Sequence, residues 1–489
     1  MPVTKAALPG TRYFGLSGLE MAEQIRQGAI SSVELVEAHI ELIQAFNPRL
    51  NAVVGQRFSA ARAEAKAADE RIAKNEADLP PFLGVPCTLK ENFAFAGQVQ
   101  SGGLVSRKDF IAEKDATAVA RLRAAGLIPL GFTNLSELGM WLESHNQVYG
   151  RTNNAYSMKH IPGGSSGGEG AIIGSGASPL GLGADIGGSI RLPAFFNGIF
   201  GHKPTGGLVP GSGQYPFPDG DGVKLLASGP LARRAEDLYP LVQILAGPDG
   251  IDPGTVPATL KNPADVKISK LRVFYLEQLP ILYITPVQKE IREAVRAAVA
   301  RLSEVTGRPV AEAKHKYMGE ALQLWATRMA GGSQSSFDEL LSAGKKINFG
   351  LELAKSFFGE SDFSLPANAL AVIEELADMP LQLRTHFLGH VAELKRYFSD
   401  LLGDDGVFIC PTYPTTAPRH NIPLLRPLDF VYTALFNTLE LPVTQVPMGF
   451  DRNGLPTGVQ IVANHFNDHV AMAVGQFLEN QFGGWRPPA

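Results

Sequence analysis

One lysine stands where it could act as a base. Lys90 ends the apolar run 85–89, and a side chain at the end of a buried strand can point into the protein interior. Desolvation there disfavours the ammonium, lowers its pKa and gives a neutral amine that accepts a proton near neutral pH. The alternative is an ordinary solvated charge at a strand end, which spacing alone favours.

A serine in a glycine turn is a candidate nucleophile. Ser189 follows Ile186, Gly187 and Gly188, and unhindered backbone N–H groups in such a turn could converge on a developing oxyanion. The residues after it could begin a helix whose N-terminus supports negative charge. A tight turn that carries an ordinary surface serine explains the same residues equally well.

A second serine motif competes with this interpretation. The residues around Ser166 match the pattern GxSxG, the nucleophile elbow of α/β-hydrolases, which needs a strand directly before it and an Asp and a His after it. Residues 158–162 do not form a convincing strand pattern, and no later histidine has a distinguishing context. The pattern therefore predicts little by itself.

Several other chemistries lack their ligands. The sequence contains no HExxH, no pair of CxxC motifs and no GxxxxGK[ST], which are the patterns of zincins, zinc ribbons and P-loop nucleotide hydrolases. Two histidine pairs have i,i+4 spacing, but two ligands without a third make a poor metal site. These pairs are His386 with His390 and His465 with His469. We therefore expect neither a metal nor a cofactor.

The elements that position these residues have the pattern of an α/β protein. Residues 163–207 are rich in Gly and Ser and nearly free of charge, which predicts close backbone packing. Residues 280–400 are predicted to be mostly helical and to form a covering layer. Strands are expected at 85–89, 128–132, 407–410, 443–447 and 458–463, with a hairpin turn at Asn453-Gly454 and helices at 117–125 and 468–482. Asn47-Pro48 is expected to end an N-terminal helix.

Composition narrows the class of protein. The chain has 489 residues, of which 45% are hydrophobic and 19% charged, and its formal net charge is -4. Nothing in this balance indicates nucleic acid or an anionic membrane as a partner. The two cysteines, Cys87 and Cys410, fit a reducing compartment, and no apolar run reaches the roughly 20 residues of a membrane span. A soluble, cytoplasmic protein is expected.

Two segments resemble a known family along their whole length. Residues 163–205, GGSSGGEGAIIGSGASPLGLGADIGGSIRLPAFFNGIFGHKPT, and residues 84–92, GVPCTLKEN, are similar to the defining segments of the amidase-signature family. Further segments resemble its fatty-acid amide hydrolase branch, particularly the second type. These are 133–138, 149–154, 402–408 and 441–445. The membrane-bound members of that branch begin with a transmembrane helix, which is not expected in this chain.

The resemblance implies a fold and a catalytic set. It implies an α/β amidase-signature fold, a large mixed twisted sheet flanked by helices on both sides. A single domain over 1–489 would have its signature core at about 80–210 and the helical covering region at about 280–400. Lys90 would be the base, Ser165 the bridging serine in a cis peptide, and Ser189 the nucleophile. The oxyanion hole would be formed by the backbone N–H groups of Ile186, Gly187, Gly188 and Ser189.

The same resemblance suggests supporting and substrate-binding residues. Asp185 and Arg191 are expected to brace the catalytic loop rather than take part in the chemistry. Low charge content and aromatics near the motifs favour an apolar substrate, although each aromatic alone is more often a core residue. The candidate pocket residues are Phe93, Gly139, Met140, Trp141 and Phe195.

The implied activity is hydrolysis of hydrophobic amides through an acyl-enzyme. Carbamates (urethanes) and esters remain open as substrates beside fatty-acid and aryl amides. One alternative is a component of a larger assembly, resembling the A subunit of the tRNA-dependent amidotransferase, which releases ammonia from glutamine for a partner protein. Another is a non-catalytic binding protein on the same scaffold. The sequence does not fix the oligomeric state, and a homodimer stays open.

Overall fold

The structure is a computed structural model that describes residues 9–218, 220–331, 336–376 and 380–488. Its centre is a mixed sheet to which the described residues contribute eleven strands, and a separate two-stranded ribbon is formed by β4 and β5. In chain order the strands are β1 (Val53–Gln56), β2 (Pro86–Lys90), β3 (Ile128–Thr133), β4 (His145–Asn146), β5 (Gly150–Arg151), β6 (Leu180–Asp185), β7 (Phe200–Lys203), β8 (Ala227–Ala232), β9 (Arg272–Tyr275), β10 (Ala311–Glu312), β11 (Gly406–Cys410), β12 (Val443–Phe450) and β13 (Pro456–Val462).

The α-helices are interspersed with the strands along the chain, and the first two of them precede β1. They are α1 (Gly18–Arg26), α2 (Ser32–Leu50), α3 (Phe58–Ala73), α4 (Thr117–Ala124), α5 (Gly167–Gly174), α6 (Arg191–Phe196), α7 (Leu238–Leu245), α8 (Lys289–Thr306), α9 (Ala321–Ala330), α10 (Phe337–Ser342), α11 (Phe349–Ser356), α12 (Leu365–Leu376), α13 (Leu381–Leu402), α14 (Val431–Thr438) and α15 (Asp468–Phe482).

The strand order mixes distant parts of the chain. In the described residues the sheet runs β1-β3-β2-β6-β8-β7-β12-β13-β11-β9-β10. The pairs β3-β2, β2-β6, β11-β9 and β9-β10 are parallel, and the others are antiparallel. Strands β2 and β6, which end at Lys90 and Asp185, are parallel neighbours. Their carboxyl ends therefore meet at the same edge of the sheet, which is where ligands bind in open α/β sheets.

Both faces of the sheet carry helices, because alternate side chains of a strand point to opposite faces. In β11, Val407 and Ile409 pack into a core shared with α4, α7, α8 and α15. Phe408 and Cys410, on the opposite face, pack into a core shared with α13 and α14. A third core joins α2, α3 and α5. The predicted large mixed sheet between two helical layers is confirmed.

The expected covering region divides into three parts, one of which, helices α9 and α13, packs in the second core together with α14. Helix α8 packs on the sheet and β10 extends it, so both belong to the central layers. Helices α10 to α12 form a separate small core with Leu138 and Leu104, and this part covers the loop that follows β3. Residues 332–335 and 377–379 of the expected covering region lie outside the described residues.

Most predicted elements are confirmed within a few residues, but one helix end is wrong. Helix α2 continues through Pro48 to Leu50. A proline in the last turn removes only one helical hydrogen bond. The end is instead fixed by Asn51 in a left-handed conformation and by Asn47, whose Oδ1 accepts the N–H groups of Ala52 and Val53 at 2.7 Å each. No helix in the described ranges is long and apolar enough to cross a membrane.

Candidate active site

Lys90 is held in a dry position at the end of β2. Its side chain is 1% exposed, and Nζ donates a hydrogen bond to Ser165 Oγ at 2.7 Å. Burial lowers the pKa of Lys90 to about 7, and the carboxyl groups of Asp185 and Glu169 only partly oppose this effect. A large fraction of the amine is therefore neutral near pH 7, which is the form that accepts a proton.

Ser165 lies in a tightly packed turn before α5. The Gly164–Ser165 peptide bond is cis, and the carbonyl oxygen of Ser165 accepts hydrogen bonds from Ser144 Oγ (3.0 Å) and the backbone N–H of Ser136 (3.3 Å). Gly164 has no room for a side chain, since a Cβ there would lie 2.2 Å from the carbonyl oxygen of Trp141. These contacts aim the Ser165 hydroxyl at Lys90.

Ser189 stands at the exposed end of this group. The backbone N–H of Ser166 donates to the carbonyl oxygen of Ser189 (3.3 Å), which ties the two serine segments together. Exposure rises from 1% at Lys90 through 2% at Ser165 to 8% at Ser189. Ser189 is therefore the most accessible of the three residues.

The turn that carries Ser189 is braced by Asp185 and Arg191. Asp185 Oδ1 accepts the N–H of Gly188 (2.7 Å), and Oδ2 accepts the N–H of Ile190 (3.0 Å). Burial opposes ionisation of Asp185, but the Arg191 guanidinium, 3.0 Å away, holds the pKa of the carboxyl well below its usual range. Arg191 also donates to Thr433 O and Gln460 Oε1. The turn is thus locked to both α14 and β13.

Three backbone N–H groups of the turn stay available to a ligand. In the described part of the chain, no hydrogen-bond acceptor is found for the N–H groups of Ile186, Gly187 and Ser189. The N–H of Gly188 is already donated to Asp185. Unengaged donors beside a serine hydroxyl form the arrangement that stabilises an oxyanion.

The comparisons with known proteins agree on one family. A family profile described as "Amidase" matches residues 34–471. Human "Fatty-acid amide hydrolase 2" is 43% identical over 486 residues, which cover 97% of this chain and 90% of the relative. The chain belongs to the amidase-signature family. It is a hydrolase that acts on carbon–nitrogen bonds other than peptide bonds.

Two further relatives show the breadth of the amidase-signature family. The A subunit of the glutamyl-tRNA(Gln) amidotransferase of Roseiflexus castenholzii (strain DSM 13941 / HLO8) is 30% identical, with 95% of each chain covered. The solved structure of "6-aminohexanoate cyclic dimer hydrolase complexed with substrate" superposes with a TM-score of 0.79 at 25% identity, covering 97% of this chain and 99% of the other. Proteins with this fold are therefore named for different reactions at amide bonds.

The candidate pocket residues of this amidase-signature protein fall into two groups that differ in their exposure to solvent. Phe93 and Phe195 are 1% and 0% exposed and pack in the hydrophobic cores, the more frequent role of a single aromatic. Gly139, Met140 and Trp141 are partly exposed, and a Cβ on Gly139 would lie 3.4 Å from Ser165 Oγ. Of the second group, Gly139 therefore lies next to the hydroxyl of Ser165.

Sequence patterns missed three residues of this amidase site. Trp325 Nε1 donates to the carbonyl oxygen of Ile186 (2.9 Å), and Thr433 Oγ1 lies 2.6 Å from the carbonyl oxygen of Gly187. Glu169 is fully buried, where it accepts hydrogen bonds from the hydroxyls of Thr88 (2.7 Å) and Thr133 (2.8 Å). Only Glu169, one helical turn after Ser165 in a run with almost no charge, gave a signal in the sequence.

Proposed function

We propose that this protein hydrolyses hydrophobic amides with Ser189 as nucleophile and with Ser165 and Lys90 as its proton relay. The observation that carries the proposal is the 2.7 Å hydrogen bond from Lys90 Nζ to Ser165 Oγ in a dry site beside Ser189. A lysine with a pKa lowered to about 7 by burial is a competent base at neutral pH.

In the first half-reaction, Ser189 Oγ attacks the amide carbonyl carbon. The Ser189 proton moves to Ser165 as the Ser165 proton moves to Lys90. The described residues show no hydrogen bond between the two serine hydroxyls, and such contacts often tighten only when substrate binds. The resulting oxyanion accepts the N–H groups of Ile186, Gly187 and Ser189. Gly188 instead holds the turn through Asp185.

The relay runs in both directions as acylation is completed and deacylation follows. The protonated relay gives a proton to the nitrogen as the C–N bond breaks, because an amine anion is a poor leaving group. An acyl-enzyme remains on Ser189. Water then attacks it with Lys90 again as the base, and the acid product leaves.

The apolar substrate class is supported by the surroundings of Ser189. The rings of Trp325 and Phe430 lie within 3.5–3.6 Å of the position that a Cβ on Gly187 would take. Near Ser165, Gly139 lies next to the hydroxyl, and the adjacent Met140 and Trp141 are partly exposed. The 43% identity to a fatty-acid amide hydrolase supports a fatty acyl or aryl group there. Aryl carbamates and esters present the same carbonyl to Ser189.

Ammonia release from glutamine for a partner protein is the second candidate function. The 30% identity to the A subunit of an amidotransferase favours it, but less than the 43% identity supports the first. Apolar rings beside Gly187 suit a small polar amino acid poorly. Glutaminase activity of the isolated chain, without activity on any anilide, would replace the first proposal with this one.

The test is amine release from anilides of increasing acyl length, from one aryl carbamate and from glutamine. We expect the wild type to release aniline, with a rate that rises with acyl length, and Ser189→Ala to release none. Ser166→Ala tests the rival GxSxG elbow. Ser166 Oγ donates to the carbonyl oxygen of Ala184 (3.3 Å), and the residues directly before it form no strand. Loss of activity in Ser166→Ala but not in Ser189→Ala would exchange the two serines.

A further inference from the structure

One hydrogen bond connects helix α9 to the turn at residues 186–189, which carries the proposed oxyanion donors. Trp325 lies on α9, outside both signature segments, and its Nε1–H donates to the carbonyl oxygen of Ile186 at 2.9 Å. The indole ring also passes close to Gly187, at 3.6 Å from the position of a Cβ there. An element 139 residues away in the chain thus contacts the peptide unit beside the nucleophile.

The hydrogen bond from Trp325 to the Ile186 carbonyl oxygen also affects the N–H group on the other side of that peptide. In a planar trans peptide the C=O and the following N–H point in opposite directions. A donor that holds the Ile186 carbonyl oxygen therefore fixes the direction of the Gly187 N–H, one of the three unengaged donors of the turn. Glycine at position 187 permits many backbone conformations. Because of that freedom, the peptide needs an external anchor to keep one orientation.

Trp325 is itself firmly placed. Its ring packs edge-on against Phe430, with centroids 5.1 Å apart and an interplanar angle of 82°. One turn along α9, Arg328 Nη2 donates to Glu440 Oε1 at 2.7 Å in a largely buried ion pair. Helix α9 also packs directly against α14. The indole N–H is therefore a fixed donor, held before substrate arrives.

We propose that Trp325 is a positioning residue that orients the Ile186–Gly187 peptide so that its N–H faces the oxyanion. This inference rests on the proposed function of Ser189 and its turn. The residue does not touch the reacting atoms; it acts through the backbone. A donor that is already aligned contributes more in the transition state than in substrate binding.

The test compares two Trp→Phe variants that lose the same kind of hydrogen bond. Trp325→Phe removes the indole N–H and keeps an aromatic ring against Phe430. Trp485→Phe is the matched control, because Trp485 Nε1 donates to the carbonyl oxygen of Gly174 at the same 2.9 Å, away from the site. Each variant is measured for kcat and KM on an anilide, for thermal unfolding, and for affinity toward a trifluoromethyl ketone. The ketone adds Ser189 Oγ to its carbonyl carbon and leaves an oxyanion in the hole.

We expect Trp325→Phe to lower kcat about tenfold, less than the loss of a whole oxyanion donor, with KM changed less than about twofold. Affinity for the ketone should fall by a similar factor. Trp485→Phe should lower the unfolding temperature without changing kcat or ketone affinity.

Two outcomes would overturn the assignment. One is unchanged kcat and ketone affinity in Trp325→Phe, and the other is equal kinetic losses in both variants. Ser189→Ala separates this failure from that of the proposed function. If Ser189→Ala is inactive while Trp325→Phe is fully active, only the positioning role fails. If Ser189→Ala keeps full activity, the proposed function fails as well.

Discussion

At the scale of single residues, burial decides what the side chains can do. The sequence allowed Lys90 to be either a solvated charge or a base. Its 1% exposure and its hydrogen bond to Ser165 select the buried amine. Ser165 and Ser166 are adjacent and chemically identical, yet the hydroxyl of Ser165 meets Lys90 and that of Ser166 meets a carbonyl oxygen.

The pKa of Lys90 predicts the pH dependence of the reaction. In the proposed mechanism Lys90 is the base and acts in its neutral form, and burial lowers its pKa to about 7. We expect kcat/KM for an uncharged anilide to fall about tenfold per pH unit below this pKa and to level off above it. The measurement is a pH–rate profile on an uncharged anilide. A plateau that persists to about pH 5.5, far below the pKa of an ordinary or modestly shifted lysine, would contradict a lysine base.

Glu169 predicts a pH dependence of stability. Burial raises its pKa from 4.5 to about 8, against the hydrogen bonds from Thr88 and Thr133. The folded state therefore binds a proton that the unfolded state has lost, and stability from this group falls as pH rises from about 4.5 to about 8. Glu169→Gln cannot titrate. We therefore compare the free energies of unfolding of the wild type and Glu169→Gln. The value for the wild type minus that for the variant should be largest near pH 5 and should shrink toward pH 8.

Urea unfolding of both proteins across this pH range measures the difference. A difference that stays constant with pH would show that Glu169 is ionised in the folded protein throughout. Glu64→Gln serves as the control, because Glu64 is one-third exposed and pairs with Arg57 near the surface.

At the scale of elements, local sequence patterns predict which helices and strands form, and tertiary contacts decide where each of them ends. The predicted helix at 468–482 coincides with α15, and the hairpin at Asn453-Gly454 joins β12 to β13. Helix α2 runs past Pro48 because Asn47 and the left-handed Asn51 supply its end. The turn after β6 is shaped by Asp185 at the end of that strand and by partners on α9 and α14.

The brace of this turn predicts a large stability effect. Arg191 and Asp185 are both 0% exposed and lie 3.0 Å apart. Arg191→Met leaves the Asp185 charge buried without its partner, so we expect a loss of about 3–5 kcal/mol in the free energy of unfolding. The control is Arg62→Met, which breaks an exposed pair with Glu37 and should change stability little. The measurement is denaturant unfolding of both variants. Equal losses of unfolding free energy in Arg191→Met and Arg62→Met would mean that the buried pair does not hold the turn.

At the scale of the whole molecule, the sheet joins parts of the chain that are far apart. Strand β7 pairs with β12, so residues near 201 lie beside residues near 445. We propose that the chain forms one domain, because a division would have to separate strands paired at the centre of the sheet. Probes on β2 and β13 should then report the same unfolding midpoint.

The contacts of Trp485 predict how much the packing of distant segments contributes to the free energy of unfolding. It is 6% exposed, donates to Gly174 O, and packs edge-on against Phe14 at 5.5 Å. We expect Trp485→Ala to cost about 3–5 kcal/mol of unfolding free energy, with kcat of the folded enzyme unchanged. Phe358→Ala, at a side chain 81% exposed, should have almost no effect. A lowered kcat in Trp485→Ala would show coupling between this contact and the catalytic turn.

The sequence by itself determined most of the secondary-structure elements and indicated the candidate catalytic residues. Apolar runs, turn residues and glycine-rich segments are local patterns, so they predict the strands and make Lys90 and Ser189 candidates. Ser165 and the roles of all three residues came from the resemblance to the amidase-signature family. Tertiary structure alone decided that the Gly188 N–H is engaged by Asp185 and that Trp325 and Thr433 hold the turn from 139 and 246 residues away. Burial and long-range hydrogen bonds arise from the strand order, which local patterns do not contain.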